Sequence, residues 1–99
     1  MAVRMMLFST VDTEREEEFE KAFGKVREHV ATVPGHIRDE LLRLDDSPGS
    51  YVLVSDWEDR EKFTTWLRSA THETMTADMR PYFTRPSEMR FYTLRVPQQ

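Results

Sequence analysis

Trp66 and His72, six positions apart, are the residues of this chain best suited to chemistry. An imidazole titrates near neutral pH and can accept a proton there, which few other side chains do unaided. His72 therefore reads either as a base or as a surface or helix-capping residue. An indole offers a broad apolar ring and one N–H donor. Trp66 either packs in a core or walls an aromatic-lined cavity, with its N–H donating to a substrate oxygen. The other histidines, His29 and His36, read as exposed. With no cysteine and three scattered histidines, the chain offers no plausible zinc site. Three glycines cannot build a phosphate-cradling loop or a dinucleotide fingerprint. None of the serines sits in the strained elbow that a nucleophilic triad requires.

Charge narrows the partners. A net charge of −4 over 99 residues argues against nucleic acid, which needs a basic footprint. Glu14, Glu16, Glu17, Glu18 and Glu20 crowd the start of one helix, where carboxylates complement the helix dipole and stay solvated. Arg80, Arg85, Arg90 and Arg95 recur every five residues, so they cannot share one face of a strand. No apolar run approaches membrane-spanning length and no leader is recognisable, so a cytoplasmic protein without membrane contact is expected.

The elements that must position Trp66 and His72 follow from periodicity. A β-branched run, Tyr51 to Trp57, reads as a strand; Trp57 closes it as a structural cover over the following helix. That helix, from about Asp59 to Arg68, places Phe63, Trp66, Leu67 and Ala70 on one stripe. Ser69 to Met79 reads as a further short helix. Upstream, Val3 to Ser9 is a strand with apolar groups on both faces. Thr13 to Glu16 reads as a capping box opening a helix whose stripe is Phe19, Ala22, Phe23, Val26 and Val30. Pro34 and Gly35 end it. Ile37 to Leu44 is the most charged strand, as suits a sheet edge. The turn from Asp45 to Ser50 joins it to the next strand as a hairpin. Met89 to Val96 is the last strand. The order β-α-β-β-α-β is the split βαβ plan in one domain over 1–99, an α+β fold with a four-stranded antiparallel sheet. Two helices on one face leave the other face unshielded, and a second copy of the chain is its expected cover. A domain this small buries only about 60–65% of its unfolded surface, which adds to that need.

This layout, with the Val33-Pro34-Gly35 turn, the Trp57-ended strand and the inner Trp66-x-x-Ser69, resembles the antibiotic biosynthesis monooxygenase family over roughly residues 3 to 96. The family's fold is ferredoxin-like, in dimeric α+β barrels. The resemblance implies a site at Trp66, where members often place a tryptophan or histidine, and near His72, where they place a histidine or tyrosine. It also exposes departures. This chain has no asparagine, which the family's oxygenases use to position substrate or oxygen. The corresponding positions fall near Met6 or Leu7 and at Lys62. The haem degraders' ligand histidine is here Thr76, which disfavours haem degradation and leaves haem binding through His72 open.

The resemblance implies a cofactor-independent monooxygenase that oxidises an electron-rich aromatic of anthrone or hydroquinone type. His72 would be the base and Trp66 the positioning donor. Tyr51, Tyr92 and Arg90 are further donors, and Phe63, Met6 and Phe8 the apolar lining, the methionine and aromatic side chains suiting a flat polycycle as well as an ordinary core. A non-oxidative cyclase, isomerase or ligand-binding accessory of the same fold is the alternative, and the missing asparagine favours it. A haem-binding protein is the third.

Overall fold

The computed structural model describes residues 2–97; Met1, Gln98 and Gln99, which the single-domain reading over 1–99 included, lie outside them. Strand β1 (Val3–Thr10) leads through a 3-10 turn (Thr13–Arg15) into helix α1 (Glu16–Val30). Strands β2 (His36–Arg43) and β3 (Ser50–Trp57) follow, then helices α2 (Arg60–Leu67) and α3 (Ala70–Thr76). A second 3-10 turn (Arg80–Tyr82) precedes strand β4 (Glu88–Thr93). The four strands form one antiparallel sheet in the order β2-β3-β1-β4. The α+β fold expected from the sequence is the fold observed.

Alternation along each strand gives the sheet two faces. On one, Val3, Met5, Tyr51 and Trp57 pack with Phe19, Phe23, Val26 and Val30 of α1 and Phe63 of α2 into a single core. Trp57, Phe19 and Phe63 are its largest fully buried side chains. Among the described residues the other face carries no helix. Its central residues are Met6, Phe8, Val52 and Val54, with Glu40 and Leu42 toward one edge and Glu88 and Arg90 toward the other.

Two local expectations are corrected. The Thr13–Glu16 capping box does not form: Asp12 accepts from the Glu14 N–H at 3.0 Å and opens the 3-10 turn instead. The Glu16 carboxylate is drawn away to the Gly49 N–H at 2.6 Å and to Arg43 at 3.1 Å, tying the start of α1 to the β2–β3 turn. A long-range bond and an ion pair displace the short-range cap. The second correction is His36, expected at the surface. Its side chain is only 4% exposed, 3.1 Å from the equally buried Asp39 carboxylate. Strand β2 is irregular between His36 and Arg38: His36 lies opposite Trp57 and Arg38 opposite Asp56, leaving Ile37 as an extra residue. That bulge turns both His36 and Asp39 to the helix side.

Candidate active site

The site grows from the end of β3. After Trp57, the Asp59 carboxylate caps α2 by accepting from the Lys62 N–H at 2.8 Å. Ten residues after Asp59 a single hydroxyl ends one helix and starts the next. Ser69 Oγ donates to the Trp66 carbonyl at 2.6 Å and accepts from the His72 N–H at 3.3 Å. The kink fixes His72 beside Trp66.

The rings meet in sequence. Trp66 stacks on Trp57 at 5.4 Å with 26° between planes, and His72 meets Trp66 edge-to-face at 4.7 Å. On the inner side His36 packs edge-on against Trp57 at 5.2 Å, and Phe63 touches Trp57, Trp66 and Phe91. The two indoles differ in one respect. The Trp57 N–H donates to Ser55 Oγ at 2.8 Å, whereas the buried Trp66 N–H finds no acceptor among the described residues. A buried donor left unpaired is costly, of order 1–3 kcal/mol, and such a group calls for a partner.

Trp66 borders an open groove of about 540 Å³ between the turn after α1 and helices α2 and α3, with Val33, Pro34, Ser69, Thr71 and Met75 on its walls. His72 is half-buried and meets the groove through the Trp66 ring. Burial lowers its pKa from the ordinary imidazole value, the Arg80 cation adds to that, and Glu73 opposes it. Neutral imidazole, the form that accepts a proton, is thereby favoured at neutral pH. Lys62, where the family resemblance leads one to look for an amide, lays its methylene stem over Gly35 and pairs with Glu58.

Of the residues singled out in the sequence, the structure brings together Trp66, His72 and Phe63. It separates the rest. Tyr51 sits toward the far end of β3 from Trp57, buried against Phe19, with its hydroxyl donating to Glu20 at 2.7 Å. Burial and that carboxylate raise its pKa, so it remains a neutral structural donor. Met6, Phe8, Tyr92 and Arg90 point to the open face of the sheet, away from the groove. Sequence reasoning missed His36 and Asp39, because three residues apart on a regular strand they would face opposite ways. Among the described residues no group of three histidine, aspartate or glutamate side chains is placed to hold a metal ion, and no helix is long and apolar enough to cross a membrane.

The structure is thus a small α+β domain with a tryptophan and a histidine at the junction of its last two helices. The chain belongs to the antibiotic biosynthesis monooxygenase family, whose pattern it matches over residues 1–78. Protein SchA of Streptomyces halstedii is 31% identical over 93 residues, covering 94% of this chain and 24% of SchA. Deoxynogalonate monooxygenase of Streptomyces nogalater is 39% identical over 46 residues, covering 46% of this chain and 39% of that protein. The chain thus spans well under half the length of either curated relative. The crystal structure of SnoaB, a cofactor-independent oxygenase from Streptomyces nogalater, superposes with a TM-score of 0.81 at 28% identity, covering 97% of this chain and 95% of SnoaB.

Proposed function

We propose that this domain is a monooxygenase that needs no resident cofactor and oxidises an electron-rich aromatic of polyketide type. The observation that carries the reading is the pairing of His72, held toward its neutral form, with a Trp66 whose buried N–H lacks an acceptor, beside an open groove. Likeness to SnoaB, described as a cofactor-independent oxygenase, supports it.

The chemistry asks little of the protein. His72, turning off the Trp66 ring, takes a proton from an activated CH₂ or phenol of the substrate. The resulting carbanion passes one electron to dioxygen, and the radical pair recombines as a carbon-bound hydroperoxide. Loss of water leaves a carbonyl. The CH₂ carbon gives up four electrons and O₂ takes up four, one oxygen atom entering product and the other water. The Trp66 N–H donates to the oxygen on which negative charge gathers, where a preorganised donor in a desolvated site is most effective.

Oxygen uptake with a simple anthrone tests the reading. One O₂ consumed per anthrone, with the corresponding quinone formed, is expected; no uptake above the uncatalysed rate would overturn it in favour of a non-oxidative role. A Soret band on adding haemin would point instead to a haem protein.

The proposal includes a second copy of the chain over the middle of the open sheet face, where Phe8 is 38% and Leu42 49% exposed beside Met6 and Val52. Apolar surface of this kind, continuous across strands, is what a protein partner covers. Light scattering at micromolar concentration should give twice the monomer mass.

A further inference from the structure

We propose that the buried His36–Asp39 pair is a positioning element for the groove, holding Trp57, the floor on which Trp66 stacks, in one orientation. Its effect on rate rests on the oxygenase reading; its effect on the rings does not. His36 and Asp39 keep only 4% and 5% of their side chains exposed, and His36 Nε2 lies 3.1 Å from Asp39 Oδ1. Among the described residues neither atom has another partner. Ser55, opposite Asp39 on β3 and itself buried, accepts the Trp57 N–H at 2.8 Å. The His36 ring meets that of Trp57 edge-on at 5.2 Å. Trp57 is thus fixed at its N–H by Ser55 and at its ring by His36, which Asp39 holds in turn.

Stability does not account for such a pair. Taking an imidazole and a carboxylate out of water costs about what their contact returns, and well-packed apolar residues of similar volume often serve a core equally well. Apolar support is already present, since Phe63 packs edge-on against both Trp57 and Trp66. What a polar contact adds is direction. Its two atoms must face one another, whereas an apolar group packs through a wider range of angles. A carboxylate at a fixed place on β2 therefore sets the plane of the imidazole, and the imidazole sets that of Trp57. The strand is itself tied down there, the Asp39 carbonyl accepting from Arg27 of α1 at 3.4 Å.

The orientation has a path to the groove. Trp57 and Trp66 stack at 5.4 Å with 26° between planes, and His72 meets Trp66 at 4.7 Å. A tilt of Trp57 passes to Trp66, turns the N–H that lacks an acceptor and shifts the ring against which His72 rests. Neither His36 nor Asp39 lines the groove, so the pair acts through Trp57 and touches no substrate there.

The double variant His36→Phe/Asp39→Leu, which replaces the pair by apolar groups of similar size, tests the role. Asp39→Asn, which keeps an acceptor oxygen in place, is its conservative counterpart. Circular dichroism reads the exciton couplet of two stacked indoles without any turnover, and Trp66→Phe gives the signal with the couplet gone. Oxidation of an anthrone reads the rate. The double variant should still unfold cooperatively in urea yet lose most of the couplet. Its kcat should fall by about 10–10²-fold with KM changed by no more than about threefold. Asp39→Asn should stay close to the unaltered protein in both readouts. An unchanged couplet in the double variant, or an unchanged kcat in an active protein, would overturn the role. A double variant that cannot fold would overturn it too, by making the pair a support of the core. So would a couplet lost as fully in Asp39→Asn as in the double variant. If the unaltered protein takes up no oxygen, the oxygenase reading fails and the couplet still decides whether the pair orients the rings.

Discussion

On the helix-covered face, the row of residues crossing the sheet at Trp57 reads His36, Trp57, Val3, Thr93; on the open face the neighbouring row reads Arg38, Asp56, Arg4, Tyr92. Helices close the first row from above, so its contacts are rings on rings, and its one titratable pair is buried with it. Among the described residues no helix closes the second row. Its charges are satisfied sideways, strand to strand, and its donors stay partly unused. The contrast teaches where function can sit on so small a fold. The covered face supplies a buried aromatic wall with an imidazole at its margin, and the open face supplies exposed charge on a rigid sheet.

The sharpest test of the contrast is truncation on each face. Trp57→Ala removes a fully buried indole from the centre of the ring cluster and should cost about 3–5 kcal/mol in urea unfolding. Phe8→Ala, at a position 38% exposed on the open face, should cost about 1 kcal/mol or less in the isolated chain. Equal costs would break the distinction, and a large cost for Phe8→Ala that grows with protein concentration would mean that a second copy buries the ring.

His72 sharpens it next. If the covered face holds the base, His72→Ala should lower the oxidation rate by about 10²–10⁴-fold with little change in ligand binding. The rate of the unaltered protein should rise with pH to a plateau, with its midpoint below about 6.5 because burial and Arg80 lower the His72 pKa. The same shift has a stability sign. The unfolded chain binds the proton more readily, so this contribution is complete above the unfolded pKa and is lost as pH falls through it. A rate profile unaltered by the substitution would make His72 a bystander.

Smaller effects probe how the groove is held. Gly35 has φ +89°, and a Cβ there would come within 2.4 Å of Lys62 Cδ. Gly35→Ala should therefore cost at least about 1–2 kcal/mol from backbone strain and displace the Lys62 stem, visible as a lower midpoint in thermal unfolding. Asp59→Ala removes the α2 cap and should cost about 1 kcal/mol, read by the same melt.

What could be read from the chain beforehand divides along these lines. The strands and the α1 stripe rest on spacings of two, three and four residues, which sequence displays directly, whereas Trp66 and His72, six apart, meet only because Ser69 breaks the helix between them. The site residues Tyr51, Met6, Phe8, Tyr92 and Arg90 were chosen by chemical type, and type says nothing about which face a strand presents or where along it a residue falls. Tyr51 is spoken for by Glu20, a partner 31 positions away. The cap at Thr13 yielded to Asp12 because Glu16 found Gly49, a contact no local motif encodes. His36 and Asp39 were unreadable for the same kind of reason, since their meeting depends on a register shift set by pairing with β3.

That register shift has a consequence for how the chain can vary. Alternation in a strand is a matter of parity, and one extra residue inverts the parity of everything beyond it. Ile37 is the point of inversion: with it, His36 and Asp39 share a side despite an odd separation, and Arg38 takes the place beside Asp56. A descendant that lost this one residue would keep both arrangements, since His36 and Asp39 would stand two apart on a regular strand, still on one side, with Arg38 still opposite Asp56. The aromatic wall and the arginine pair therefore survive together the loss of a residue at the bulge, and substitutions can tune either face alone.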